Sequence, residues 1–177
     1  MEMFWKQGYE ATQVDELLGV MGIGRGSMYA AFGDKRSLYL EALDRFIDRI
    51  SARVRSKLLD GPKKPIENLR AFVRSWPGIA ESGKGLGCFI SNALIETSPS
   101  DPDVAARVTR VLRNEELLIR GVLSEAQESG DWPRDREPAT VARAVVALRL
   151  SMTMMARLGS LDPSVKSTTE AALLLLK

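Results

Sequence analysis

Leu38, Tyr39, Ala42, Leu43, Phe46, Ile47, Ile50, Val54 and Leu58 recur at steps of three and four residues, a spacing that an α-helix turns into one continuous apolar face. A helix of that length must be covered along its whole face, so the rest of the chain has to supply partners for it. Asp34 stands where an N-cap is wanted, and Gly61-Pro62 ends the pattern. The apolar content points the same way: 45% of residues are hydrophobic but only 6% aromatic, and most are residues that lose little rotamer freedom in a helix. An all-α fold is expected.

Glycine and proline divide the remainder into further helical segments. A short helix through Met3, Phe4 and Trp5 closes at Gly8. Thr12, with Asp15 three residues on, offers a capping-box-like start to a second helix carrying Val14, Leu17, Leu18 and Met21, which stops at Gly22. Arg25 to Phe32 forms a third, and Asp34 opens the long fourth. Pro65 to Trp76, stopped by Pro77-Gly78, is followed by Cys88 to Glu96, and Asp101 or Asp103 opens a long helix to Ser129-Gly130. Pro138 begins a helix over 139–158, and Pro163 begins the last, 164–176. The total is about nine helices and no strand.

With no histidine and one cysteine, Cys88, the chain cannot assemble a Ser-His-Asp or Cys-His nucleophile or a His- or Cys-built zinc site within itself. No cofactor is expected, and neither is an enzyme. No apolar run approaches a membrane span and no basic-then-apolar leader opens the chain, so a soluble, cytoplasmic protein without a membrane partner is expected. Residues 1–46 hold five basic and seven acidic side chains, which leaves that segment at −2. Any nucleic-acid contact there must come from a few placed cations around Arg25 and Lys35, not from bulk charge.

Two short helices about Gly22 are the arrangement of a helix-turn-helix. The turn needs a residue that accepts positive φ, apolar residues on both sides fix the crossing angle, and the second helix can then enter a major groove. Leu17, Met21, Ile23 and Met28 fill the inward places, and Arg25, Gly26, Ser27 and Tyr29 are left outward. Spacing alone leaves a plain helical hairpin equally open.

The residues say more. Phe4-Trp5-Lys6-Gln7-Gly8-Tyr9-Glu10-Ala11-Thr12 through Leu18, then Met21-Gly22-Ile23-Gly24-Arg25-Gly26-Ser27-Met28-Tyr29 through Leu38, closely resemble the DNA-binding domain of TetR/AcrR-family transcriptional regulators. The resemblance implies a three-helix DNA-binding unit over 1–46, its first helix truncated, and a larger helical effector-binding and dimerisation domain over 47–177. It implies phosphate contacts from Thr12 and Gln13, a major-groove face over Gly24, Arg25, Gly26 and Ser27, and backbone grips from Tyr29 and Lys35. The expected function is a ligand-responsive regulator, a repressor released from its operator by a small molecule. Its partners would be double-stranded operator DNA, a small apolar or amphipathic effector and a second copy of the chain. A helical enzyme or carrier, a ligand-binding or dimerisation protein without DNA function, and a module whose DNA-binding half has decayed are the alternatives; the absence of histidine and of clustered carboxylates within one apolar helix counts against the enzyme or carrier, and the intact Gly24 to Lys35 run against the decayed module.

Other features carry less. The glycines of 22–27 follow a helix and lack the third glycine of a dinucleotide loop, and Gly83-Lys84-Gly85 lacks the following Ser or Thr of a phosphate cradle. Cys88 reads as a small core residue and Arg143, Arg149 and Arg157 as solvated. Phe72, Trp76, Phe89, Met152 and Met155 are the candidate lining of a ligand pocket. Val145, Val146, Leu148, Leu150 and Met152 ring the penultimate helix and Leu173 to Leu176 the last, so these two helices are expected to form a homodimer. The barely two turns before Gly8, without the basic arm usual in the family, point to a natural protein that begins further upstream and to weaker DNA binding by this form. Packing of Phe4 and Trp5 would have to hold so short a helix.

Overall fold

The computed structural model describes residues 1–61, 64–83, 85–159 and 163–177; Pro62 of the Gly61-Pro62 stop and Lys84 of the glycine-rich stretch lie outside them. Among the described residues the fold is all helical, with α1 (Glu2–Gln7), α2 (Val14–Met21), α3 (Arg25–Phe32), α4 (Lys35–Leu59), α5 (Pro65–Arg74), α6 (Trp76–Ser82), α7 (Phe89–Glu96), α8 (Pro102–Glu128), α9 (Pro138–Met155) and α10 (Pro163–Leu175).

The helix starts follow local chemistry. Asp34 accepts from Ser37 N at 2.6 Å to cap α4, Asp101 accepts from the amides of Asp103 and Val104 to cap α8, and Glu137 caps α9 ahead of Pro138. Ten helices replace the expected nine because the stretch from Pro65 breaks at Ser75, and Pro77 does not stop a helix but sits in the first turn of α6, where its missing N–H is not needed. Thr12 is not the cap of α2. Its hydroxyl donates to Gly8 O at 2.6 Å, so the helix begins one residue later at Gln13, whose N–H donates to Glu16 Oε2 at 3.1 Å.

Two apolar clusters fill the interior. One joins Phe4, Leu17, Met28 and the first half of α4 to Phe89, Ile90, Val104 and Val108, so α7 and the start of α8 share a core with α1–α3. The other gathers the second half of α4 with α5, α6, α8, α9 and α10. At roughly 37 Å long, α4 runs through both. The expected anchoring of α1 is present: Phe4 is buried with its ring 5.2 Å from Tyr39, edge to face, and Trp5 lies 5.3 Å from Phe46.

Tyr39 sits at the centre of the first cluster, its hydroxyl 3.2 Å from Thr97 Oγ1. Burial pushes its pKa from 10.0 up to about 12, with the Thr97 hydrogen bond acting the other way. The folded chain therefore keeps a proton that the unfolded chain releases, so this contribution to stability is complete below pH 10 and is lost as pH rises toward 12. Denaturant titrations at stepped pH should show that alkaline loss in the native chain and a flatter limb in Tyr39→Phe; parallel limbs would remove Tyr39 as the cause.

Of the α9 residues expected to face a partner, Val145, Val146 and Met152 are buried within the chain, because α8 and α10 both pack on α9. Leu148 and Leu150 are half-buried, while Met154, Leu158 and Leu174 remain exposed.

Candidate nucleic-acid interface and an adjoining cavity

Gly22 takes the left-handed conformation, φ 65°, that lets α2 turn directly into α3. Leu17 and Met28 are buried beneath the turn and hold the two helices at their angle. The opposite surface is open: Gln13, Gly24, Arg25, Gly26, Ser27 and Tyr29 are all exposed, Tyr29 to 43%. Arg25 forms an ion pair with Asp15 across the two helices, and both side chains are more than half exposed. Such a pair adds little stability, so Arg25 can leave it for a base edge at small cost. Asp15 also places a negative charge on the same surface.

Lys35 is half-buried, with its Nζ 4.5 Å from the Tyr9 ring centroid and 3.3 Å from Glu10 O. Thr12 differs from the other expected contacts. It is fully buried and its hydroxyl is engaged with Gly8, so it holds the α1–α2 turn and does not present its oxygen to solvent.

The three-helix unit is fastened to the rest of the chain by polar contacts from α7 and α8. Glu96 Oε1 accepts from Tyr9 N at 2.6 Å and from Glu10 N at 3.3 Å. Arg36 donates to both oxygens of Asp101 at 2.7 and 2.9 Å and to Asp103 at 2.5 Å; its guanidinium holds the Asp101 carboxyl below its usual range. Arg107 reaches Asp44 at 2.9 Å. These fastenings pair residues dozens of positions apart, and no sequence spacing announces them.

A cavity of about 410 Å³ lies between α4, α5, α6 and α9, a volume within the range of small-molecule sites. Phe72 and Met152 line it as expected. Trp76, Phe89 and Met155 do not: Trp76 packs into the core at 6.3 Å from Phe72, Phe89 lies edge-on to Tyr39 and Phe46, each 5.6 Å away, and Met155 packs against the larger cluster. Missed in the sequence were Trp5, which reaches the cavity from α1, and the α4 residues Arg49, Arg53 and Lys57. Burial, followed by the charge of Arg53, lowers the pKa of Lys57. Cys88 is buried at the cavity edge.

Arg149 also lines this cavity and is not solvated, contrary to the sequence reading; Arg143 and Arg157 are exposed. It is buried opposite Glu115 of α8, Nη2 to Oε2 at 2.5 Å. Burial works against the charged guanidinium, but Glu115 and Cys88, through charge and hydrogen bonding together, more than offset it, so the pKa is raised and the group stays charged. Both residues also line a second cavity of about 440 Å³. The signal was present in the sequence: Glu115 falls in register with Val104, Val108, Val111 and Val122, and Arg149 with Ala142, Val145 and Met152. Charges at two core positions of neighbouring helices point to each other.

Comparison with known proteins agrees with this geometry. Residues 1–42 match the family described as bacterial regulatory proteins, tetR family, and residues 65–171 match the tetracyclin repressor-like C-terminal domain. The HTH-type transcriptional regulator YezE of Bacillus subtilis is 31% identical over 89% of this chain and 81% of its own length. The HTH-type transcriptional repressor ComR of Escherichia coli is 28% identical over 90% of this chain and 77% of its own. The regulatory protein TetR from Rhodobacter sphaeroides superimposes with a TM-score of 0.85 at 25% identity, covering 97% of this chain and 91% of that one. Together with the exposed α3 and the long α4 joining it to a cavity-bearing helical body, these matches show that the chain belongs to the tetR family of bacterial regulatory proteins.

Proposed function

We propose that this DNA-binding regulator acts in the cytoplasm as a homodimeric repressor, laying α3 in the major groove of its operator and leaving it when a small molecule fills the 410 Å³ cavity. The observation that carries this reading is the surface of α3, where Met28 is locked inward while Arg25, Gly26, Ser27 and Tyr29 are all presented outward. Arg25 reads a base edge, Ser27 a base or phosphate, and Gln13, Tyr29 and Lys35 grip phosphates, with Gly24 and Gly26 allowing close approach. Thr12 contributes by holding the turn that presents Gln13.

Two rods connect cavity and DNA surface. Ile50 and Val54 put α4 against the cavity while Leu38 to Ile47 fix its other end in the three-helix core. The segment leading into α7 borders the cavity at Gly87 and Cys88, and α7 ends at Glu96 on the α1–α2 turn. A ligand that tilts either rod changes the spacing of two recognition helices in a dimer. A hundredfold preference for one state, about 2.7 kcal/mol, is within ordinary coupling energies.

Gel shifts with DNA flanking the chain's own gene test this reading. Arg25→Ala is expected to relax base preference, whereas Lys35→Ala should weaken all sequences alike and lower the salt slope by roughly one. Equal loss of discrimination in both variants would refute these roles. Dimerisation through α9 and α10 is supported by exposed Met154, Leu158 and Leu174 on and just beyond these helices. Light scattering at micromolar concentration should give twice the chain mass; a single-chain mass would defeat it.

A further inference from the structure

Three of the cations around the 410 Å³ cavity form a row. Arg49, Arg53 and Lys57 stand four residues apart on α4, so they share one face over about 12 Å. None has a carboxylate partner among the described residues, and the described lining of the cavity contains no Asp or Glu. Arg49 rests over the Phe46 ring at 5.5 Å, and Lys57 donates to Ser75 Oγ at 3.2 Å. The remaining wall is apolar, from Phe72, Ile79 and Met152.

Two other donors on residues that line the cavity lack acceptors. Arg149, whose side chain is only 8% exposed, spends Nη2 on Glu115 but leaves Nε without a partner. The indole N–H of Trp5 is likewise buried and unbonded. Such donors are costly when left empty and are satisfied by a ligand that brings acceptor oxygens. Lys57, whose pKa is lowered by burial first and by the Arg53 charge second, regains a counter-charge from the same kind of ligand.

Resting on the regulator reading above, we propose that the effector is a small organic anion, an apolar body carrying an oxyanion head, whose head is held by Arg49, Arg53 and Lys57 and whose body lies against Phe72, Ile79 and Met152. This narrows the apolar or amphipathic ligand expected from the sequence to one sign of charge. The cationic row lies on α4, and Trp5 belongs to α1, so an anion drawn between them touches the helix that leads to the DNA surface and the DNA-binding unit itself.

The test uses the full chain and a series of straight-chain carboxylates from butanoate to octanoate, each beside the alcohol and the amine of equal length. Binding is followed by calorimetry and by tryptophan fluorescence, and operator release is followed separately on a labelled duplex. The carboxylates should bind about tenfold or more tightly than the matching alcohols, lose that advantage in Arg49→Gln and Arg53→Gln, and weaken with added salt. Both variants alter exposed side chains, so thermal melts should match the native chain, and alcohol binding should not change.

Alcohols or amines that bind as well as carboxylates, carboxylate affinity that survives both substitutions, or no carboxylate binding at all would overturn the inference. Operator release by the alcohol alone would leave the regulator reading standing and remove the anion. Carboxylate binding dependent on Arg49 and Arg53, in a chain that binds no operator, would keep the anion site and remove the regulator reading.

Discussion

Glu115→Ala is expected to destabilise the chain by about 3–5 kcal/mol and to lower the melting temperature by about 10 °C or more. The reason is Arg149, which is buried and would keep its charge without a counterion. The pair itself need not be stabilising, because removing two ions from water consumes much of their mutual attraction. The double variant Glu115→Met with Arg149→Met should therefore recover most of the loss, by placing apolar side chains at two positions already in register with apolar stripes. Chemical denaturation of the two single variants and the double variant decides the matter. A loss below about 1 kcal/mol in Glu115→Ala would mean that water enters from the adjoining cavities and solvates the guanidinium.

Substitution at Gly26 should separate stability from DNA binding. Gly26 stands in the first turn of α3, and a β-carbon there meets nothing within 4 Å in the free chain. Gly26→Ala should stabilise the fold by up to about 1 kcal/mol through helix propensity. Gly26→Glu should do no harm either, because an acid in the first turn favours the helix dipole. On the operator the outcome reverses: a carboxylate set between α3 and the phosphates costs several kcal/mol, so binding should fall by roughly 100-fold or more. Melting curves and gel shifts on the same preparations check both halves. Operator affinity within about twofold of the native chain would show that α3 does not face DNA.

What was legible in the sequence was whatever local chemistry decides. Gly22 needs a left-handed φ, Asp34 and Asp101 carry their caps beside them, and Leu17 and Met28 lie on faces that three- and four-residue steps reveal. Even local reading slipped where two bonds competed: Thr12 turned its hydroxyl back to Gly8, and Gln13 became the cap. The cavity was harder. Phe72 and Trp76 share one stretch of sequence, and periodicity gives no reason for Phe72 to border a space while Trp76 fills the core. That difference arises from which of several helices approaches closest, a property of the assembled bundle. Arg149 differs from Arg143 and Arg157 in its register with Val145 and Met152, which places it in the core while the other two stay exposed.

The clamp at the α1–α2 turn makes the DNA-reading unit a replaceable part. Glu96 grips the main-chain amides of Tyr9 and Glu10, groups that every residue except proline possesses, and so it imposes no side-chain identity on them. The constraint falls on Gly8 instead: its φ is 86°, and a β-carbon there would sit 2.5 Å from the Glu96 carboxylate. Operator preference can therefore be rewritten across α2 and α3 while the junction keeps its geometry, provided that position 8 stays glycine and the buried anchors Thr12, Leu17 and Met28 stay in place. What the chain reads and how that reading unit is fastened are set by different atoms.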